Sequence, residues 1–315
     1  MNIRNKFLFF VFLMWAAGLQ AQKPAFAPDT AIVYKKAGPV ALKIFIFLPK
    51  HQNPEKSALV LFHGGGWNNG KPAYMYRHAR YFANRGMTVF CPEYRLRNKN
   101  HTTIVEAVRD AESAMAWVRK HAAAFHINPD KIVAGGGSAG GHLAIMTALD
   151  TTINQNIPPA DFRPDALLLF NPVLDVSKNG YGHQRIVNEI KPYRLSWQAF
   201  SPIDNIRPGL PPVLVMVGDK DKVLPKPTAL RFEEKMKKAG NDCTVKIYPG
   251  GEHTFFNFGY AKKMGYPPGT KNRYYYETLQ QADNFLVNHG FLSGHVQIKI
   301  PKSAIYPIKK QKNKE

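Results

Sequence analysis

Residues 132–142 read Ile132-Val133-Ala134-Gly135-Gly136-Gly137-Ser138-Ala139-Gly140-Gly141-His142. The apolar run from Ile132 to Ala134 predicts a buried strand. The glycines predict a sharp corner, and Leu143-Ala144-Ile145-Met146-Thr147-Ala148-Leu149 predicts a helix after it. At the corner, Gly136-Gly137-Ser138-Ala139-Gly140 fits G-x-S-x-G. A nucleophilic serine lifted above a sheet needs a strained strand-to-helix turn. The residues two positions away must then lack side chains, because strand and helix nearly touch there. The amino end of the helix also points backbone N–H groups at an oxyanion forming beside the serine. Two other readings compete: a glycine-rich turn with a bystander serine, and a phosphate cradle. The cradle is the weaker, since no Gly-Lys-Ser/Thr follows and the corner lacks the G-x-G-x-x-G pattern with its spaced acidic residue.

Upstream, Ala58-Leu59-Val60-Leu61-Phe62 is continuously apolar, as a strand covered on both faces should be, and runs into His63-Gly64-Gly65-Gly66-Trp67. Consecutive glycines let backbone donors approach a substrate oxyanion closely. His63 sits beside those donors and reads as a loop-orienting side chain, not a base. Trp67 either lines a substrate site or closes the core. Downstream, the apolar strand from Val213 to Val217 ends at Gly218-Asp219-Lys220-Asp221, and a strand from Val245 to Tyr248 leads to Pro249-Gly250-Gly251-Glu252-His253. Further strands are predicted over 31–34, 42–48, 87–91 and 166–170. Helices are predicted over 72–85, along the 3/4-spaced apolar stripe from Ile104 to Phe125, around Phe232, and around Leu279. Strands alternating with helices imply an α/β fold: one mostly parallel sheet with helices on both faces and no internal repeat. Residues 175–207 are polar and irregular, and form either a wall over the sheet's upper edge or a plain surface connection.

In such a sheet, residues just past the carboxyl ends of strands converge on one edge. His63 to Gly66, Ser138, Asp221 and His253 all occupy such positions. A serine hydroxyl needs a histidine to take its proton. The histidine in turn needs a carboxylate to hold its tautomer. Asp219 and Asp175 are rivals to Asp221 for that carboxylate. Asp110 lies within the long helix and reads as structural, a partner for Arg95.

His63-Gly64-Gly65-Gly66-Trp67 together with Gly136-Gly137-Ser138-Ala139-Gly140-Gly141 resembles the α/β-hydrolase esterases related to hormone-sensitive lipase and the smaller bacterial feruloyl/acetyl-esterase-like (BD-FAE-like) group. Tyr94-Arg95-Leu96 and the stretch from Asp110 to Trp117-Val118 fit the same pattern. The resemblance runs from about Ala58 to His253. It implies an α/β-hydrolase fold with Ser138 as nucleophile, Asp221 as acid and His253 as base, and an oxyanion hole from the N–H groups of Gly64, Gly65 and Ala139. Asp221 is preferred because Gly218 to Asp221 matches the family's Gly-x-x-Asp. No metal and no cofactor is implied. The implied substrate is a short acyl ester, with acetyl or feruloyl groups on polysaccharide as the case that export favours. Two features depart from the family. Glu252-His253 replaces the frequent Gly-His pair, and the segment before Ala58 is too short for a large amino-terminal cap. Two alternatives share the catalytic domain: a prolyl-oligopeptidase-type peptidase, for whose propeller the chain has no room, and an inactive hydrolase fold used for binding.

The chain has 315 residues and a formal charge of +21, still +19 without Arg4 and Lys6. Those two cations precede an apolar run from Phe7 to Ala17 and a small-residue site at Leu19-Gln20-Ala21. That pattern predicts a signal peptide over 1–21, hence a bacterial periplasmic or secreted protein. A catalytic domain is expected over 22–300 and a basic tail over 301–315. The apolar run is short for a membrane span. The positive charge reads as a solvated surface; no nucleic-acid-binding motif accompanies it. The two cysteines, Cys91 and Cys243, end one strand and begin another, and no disulfide between them is expected.

Overall fold

The strands alternate with helices along the chain as the sequence predicts, and the eight described strands join in one sheet. The computed structural model describes residues 26–149, 153 and 156–308. The strands are β1 (Thr30–Ala37), β2 (Val40–Phe47), β3 (Ala58–Phe62), β4 (Thr88–Pro92), β5 (Ile132–Gly137), β6 (Ala166–Phe170), β7 (Val213–Gly218) and β8 (Cys243–Tyr248). Their order across the sheet is β1-β2-β4-β3-β5-β6-β7-β8. β1 pairs antiparallel with β2, and β2 with β4; every later pairing is parallel.

The continuous apolar strands feed two cores alternately. Val60 and Phe62 of β3, Ala134 of β5 and Val215 of β7 face one core, shared with Val108, Ala111, Leu143 and Phe232 from three helices. Leu59, Leu61, Val133 and Met216 face the other, shared with Phe82 and Leu279. A period-2 strand between two helical layers has no polar face to show, which is why its sequence does not alternate.

The long helix runs over Ile104–Lys120 and is fixed at its start by a capping box. The Val105 N–H donates to Thr103 Oγ1 at 3.2 Å, and the Thr103 N–H donates to Glu106 Oε2 at 2.8 Å. The apolar stripe continues to Phe125, but the helix does not: Ala123–Phe125 forms a separate short turn. His121 Nδ1 lies 2.7 Å from the Trp117 carbonyl and caps the break. Asp110 is fully buried and pairs with Arg95 (2.7 Å) and Lys35 (2.7 Å), the structural role its sequence position suggests.

Cys91 and Cys243 are free and buried, on β4 and β8, with four strands between them. Burial pushes the Cys91 thiol well up and the Cys243 thiol to about 12. The proposed signal peptide lies outside the described residues. The expectation of a tail from residue 301 needs correction for its described part. Ile305 pairs with Asn272 as a parallel bridge, and the Arg273 N–H donates to the Ile305 carbonyl at 2.8 Å. Tyr306 Oη donates to Glu277 Oε1 at 2.6 Å. Apolar Ala304 is buried there, so residues 301–308 dock on the body; Lys309 onward lies outside the described residues. Among the described residues no helix is long and apolar enough to cross a membrane.

Candidate active site

The corner after β5 has the geometry its glycines require. Ser138 sits at φ 56°, ψ −120°, a left-handed conformation for a residue with a side chain. A Cβ on Gly140 would lie 2.1 Å from the Phe62 carbonyl oxygen, and one on Gly136 would lie 2.4 Å from the same atom. The helix Ala139–Met146 begins at once after Ser138, one turn earlier than the run from Leu143 suggests. Glycines 140 and 141 are weak helix formers, and burial of the whole helix overrides that preference.

Three strand ends then bring three side chains together. Ser138 Oγ lies 2.8 Å from His253 Nε2. His253 Nδ1 lies 2.9 and 3.0 Å from the two Asp221 oxygens. A carboxylate only accepts, so Nδ1 carries the ring proton and Nε2 is left to accept from the serine hydroxyl. Asp221 is buried, and its Oδ1 also accepts from the Val223 N–H (2.8 Å) and the Leu224 N–H (3.0 Å). The loops carrying the acid and the histidine are tied together: the Lys220 N–H donates to the Gly251 carbonyl at 3.0 Å, and the Gly250 N–H to Asp219 Oδ1 at 2.7 Å. Asp219 is thereby committed to the backbone. Asp175 accepts from the Ser177 N–H at 2.8 Å and pairs with Arg231 at 3.3 Å. Neither rival bonds to His253.

The glycine loop after β3 closes the other side. Gly64, Gly65 and Gly66 border a cavity of about 340 Å³ with Ser138 and His253. The backbone N–H groups of Gly64, Gly65 and Ala139 meet no acceptor among the described residues. His63 is buried, with Nδ1 2.8 Å from the Gly64 carbonyl and its ring stacked on Tyr94 at 4.3 Å. Burial pulls its imidazole down to about 4, so it is neutral at pH 7 and orients the loop.

Of the two readings of Trp67, substrate wall or core, its burial fits the core and not the substrate-binding one. It is buried and does not border the cavity; its ring backs Tyr181 at 5.8 Å, and Tyr181 forms the wall. Residues 175–207 thus reach the cavity through Tyr181, while Ile186, Ile190 and Phe200 of the same stretch pack into the core.

One contact to the histidine was not read from the sequence. Asn171 follows β6, is fully buried and has φ 36°. Its Nδ2 lies 3.0 Å from His253 Nδ1 and 3.4 Å from Nε2. With Nδ1 donating to Asp221 and Nε2 accepting from Ser138, both in-plane positions of the ring are occupied. The amide therefore bears on the imidazole as a wedge. An asparagine directly past a buried parallel strand, a residue that tolerates left-handed φ, is the signal that could have found it. Among the described residues no group of three or more His, Cys, Asp or Glu side chains could hold a metal ion.

Fold and site together define an α/β-hydrolase with a serine–histidine–aspartate site. The BD-FAE family model matches residues 44–236, more than half of the chain, and the chain belongs to that family. The dienelactone hydrolase family model matches residues 196–283. Among relatives, an acetylxylan esterase from Xylanibacter ruminicola is 29% identical over 257 residues, which cover 76% of this chain and 47% of that protein. The chain thus spans about half the length of such sequence relatives. Among solved structures, the apo form of Thermogutta terrifontis esterase 2 is 39% identical, with a TM-score of 0.77 over 86% of this chain and 98% of that one. The same esterase phosphorylated by paraoxon matches with a TM-score of 0.73 at 39% identity, over 84% and 95%. Its propionate-bound form matches at 0.76 and 38% identity, over 87% and 98%.

Proposed function

We propose that this chain hydrolyses short acyl esters, with acetyl or feruloyl groups on polysaccharide as the substrate class, through an acyl-enzyme on Ser138. The observation that carries the proposal is the Ser138–His253–Asp221 chain of hydrogen bonds, 2.8 and 2.9 Å long, at the foot of the glycine-lined cavity. Ser138 Oγ attacks the ester carbonyl carbon as His253 Nε2 takes its proton. The carbonyl π electrons move to oxygen, and the N–H groups of Gly64, Gly65 and Ala139 hold that charge. Asp221 stabilises the imidazolium. The tetrahedral centre collapses, the bond to the alcohol oxygen breaks, and the leaving alkoxide takes the proton from His253. Water then attacks the acyl carbon with His253 as base, releasing the acid and restoring the serine hydroxyl.

A short acyl group is supported by the size of the cavity and its apolar wall of Met75, Tyr74 and Phe256. The acetylxylan esterase relative and the propionate held by the Thermogutta enzyme support the same class. Export of the mature chain, proposed from residues 1–21, would place it where polysaccharide esters occur. Hydrolysis of p-nitrophenyl acetate, butyrate and octanoate tests the proposal, with the full chain beside Ser138→Ala. Acetate and butyrate should exceed octanoate by about tenfold or more in kcat/KM, and the variant should lose on the order of a millionfold. Activity surviving in Ser138→Ala would end the acyl-enzyme proposal; activity rising to octanoate would end the short-acyl one.

A further inference from the structure

A second cavity, of about 240 Å³, adjoins the catalytic one. Tyr181 and Val223 border both. The two differ in chemistry. The catalytic cavity is walled by Met75, Tyr74 and Phe256, whereas the second carries Asp175, Asn179 and Lys222. Lys222 and Asn179 are exposed, and their side chains have no partner among the described residues. Asp175 accepts one backbone N–H and one arginine N–H, which leaves lone pairs on both oxygens.

We propose that this second cavity is the alcohol site, and that it takes the hydroxyl groups of a sugar; this rests on the esterase reading above. Chemistry sets the direction. The leaving oxygen must receive its proton from His253, so the alcohol lies on the imidazole side of the scissile bond. Val223, two residues past the carboxylate that holds the imidazole, is the border on that side. The Tyr181 ring supplies the flat apolar surface a sugar face needs. It is held from behind by buried Trp67, over which Arg185 sits at 5.4 Å. A Cβ on Gly66 would lie 3.1 Å from the Tyr181 hydroxyl, so that hydroxyl stands beside the glycine loop at the junction of the two cavities. A sugar offers donors and acceptors together, which an ammonium, an amide and a carboxylate answer in one place. A hydroxylated alcohol answers those groups better than an aliphatic one does.

The test compares kcat/KM on acetylated xylo-oligosaccharides and on p-nitrophenyl acetate for the full chain, Asn179→Ala, Lys222→Met and Ser138→Ala. Loss of one hydrogen bond to the alcohol should lower the oligosaccharide value about tenfold more than the p-nitrophenyl value in each pocket variant. Equal losses on both substrates, or no loss on either, overturn the alcohol site. So does Ser138-dependent turnover of p-nitrophenyl acetate with none of the acetylated sugar. Absence of Ser138-dependent turnover of both substrates would instead count against the esterase reading, which keeps the two failures distinct.

Discussion

At the scale of single residues, the site depends on how three side chains are held as much as on which three they are. His253 is half-buried, and its ring is fixed by Asp221 on one edge and by the Asn171 amide alongside. A ring that swings by even an ångström loses the 2.8 Å contact to Ser138. Asn171→Ala should therefore lower kcat about tenfold while KM stays within about twofold. An effect confined to KM would show that Asn171 acts on substrate and not on the imidazole. The serine and the base were legible in the sequence because each follows a recognisable strand with a glycine nearby, and the acid only as Asp221 preferred over Asp219 and Asp175. Asn171 carries only a weaker signal, an asparagine directly past a buried strand, because a wedge against a ring leaves no spacing pattern.

Among the elements, the turn from β5 into its helix is the most constrained. Gly140 lies against the end of β3, with the Phe62 carbonyl in the space a methyl group would need. Gly140→Ala should destabilise the protein by about 3 kcal/mol, since backbone cannot yield as a side-chain tip can. A urea-unfolding midpoint unchanged by that substitution would show that strand and helix do not touch as described. The same turn explains why helix prediction from residue type began at Leu143 and the helix itself at Ala139. Local propensity penalises glycine in a helix, whereas the tertiary contact between strand and helix demands it. The insertion at 175–207 shows a similar limit. Its polar composition left wall and surface connection equally open, and contacts with the body make parts of it each.

For the whole molecule, three buried histidines on different elements link folding to pH. Burial pulls His63 and His142 down to about 4, and His78 to about 3. In the unfolded chain each would bind a proton near 6.5. The unfolded state therefore holds more protons between about pH 6.5 and 4. Stability is full above that window and falls as pH drops through it, by up to about 1.4 kcal/mol per pH unit for each histidine. Urea midpoints should fall from pH 7.5 to pH 5, and His142→Gln should fall less steeply. A wild-type midpoint flat across that range would contradict the burial of neutral imidazoles. The His142 ring is held by the Phe200 carbonyl at 2.9 Å, a bond an amide can replace.

The sequence by itself determined the alternation of strands and helices, the two-sided burial of the central strands, and the serine and histidine that meet at the sheet edge. These follow from period, chain order and glycine placement, which are local properties of the chain. Only the tertiary structure decided what depends on distant segments arriving at one place. It separated Asp221 from Asp219 and Asp175, because one of three nearby carboxylates reaches the histidine. It put Trp67 behind the cavity wall and Tyr181 on it. It also docked residues 301–308 through Ile305 and Tyr306, where the sequence, rich in lysine just beyond, reads as a basic tail. In each case the deciding term is a contact between residues far apart in the chain, and no window of sequence contains both partners.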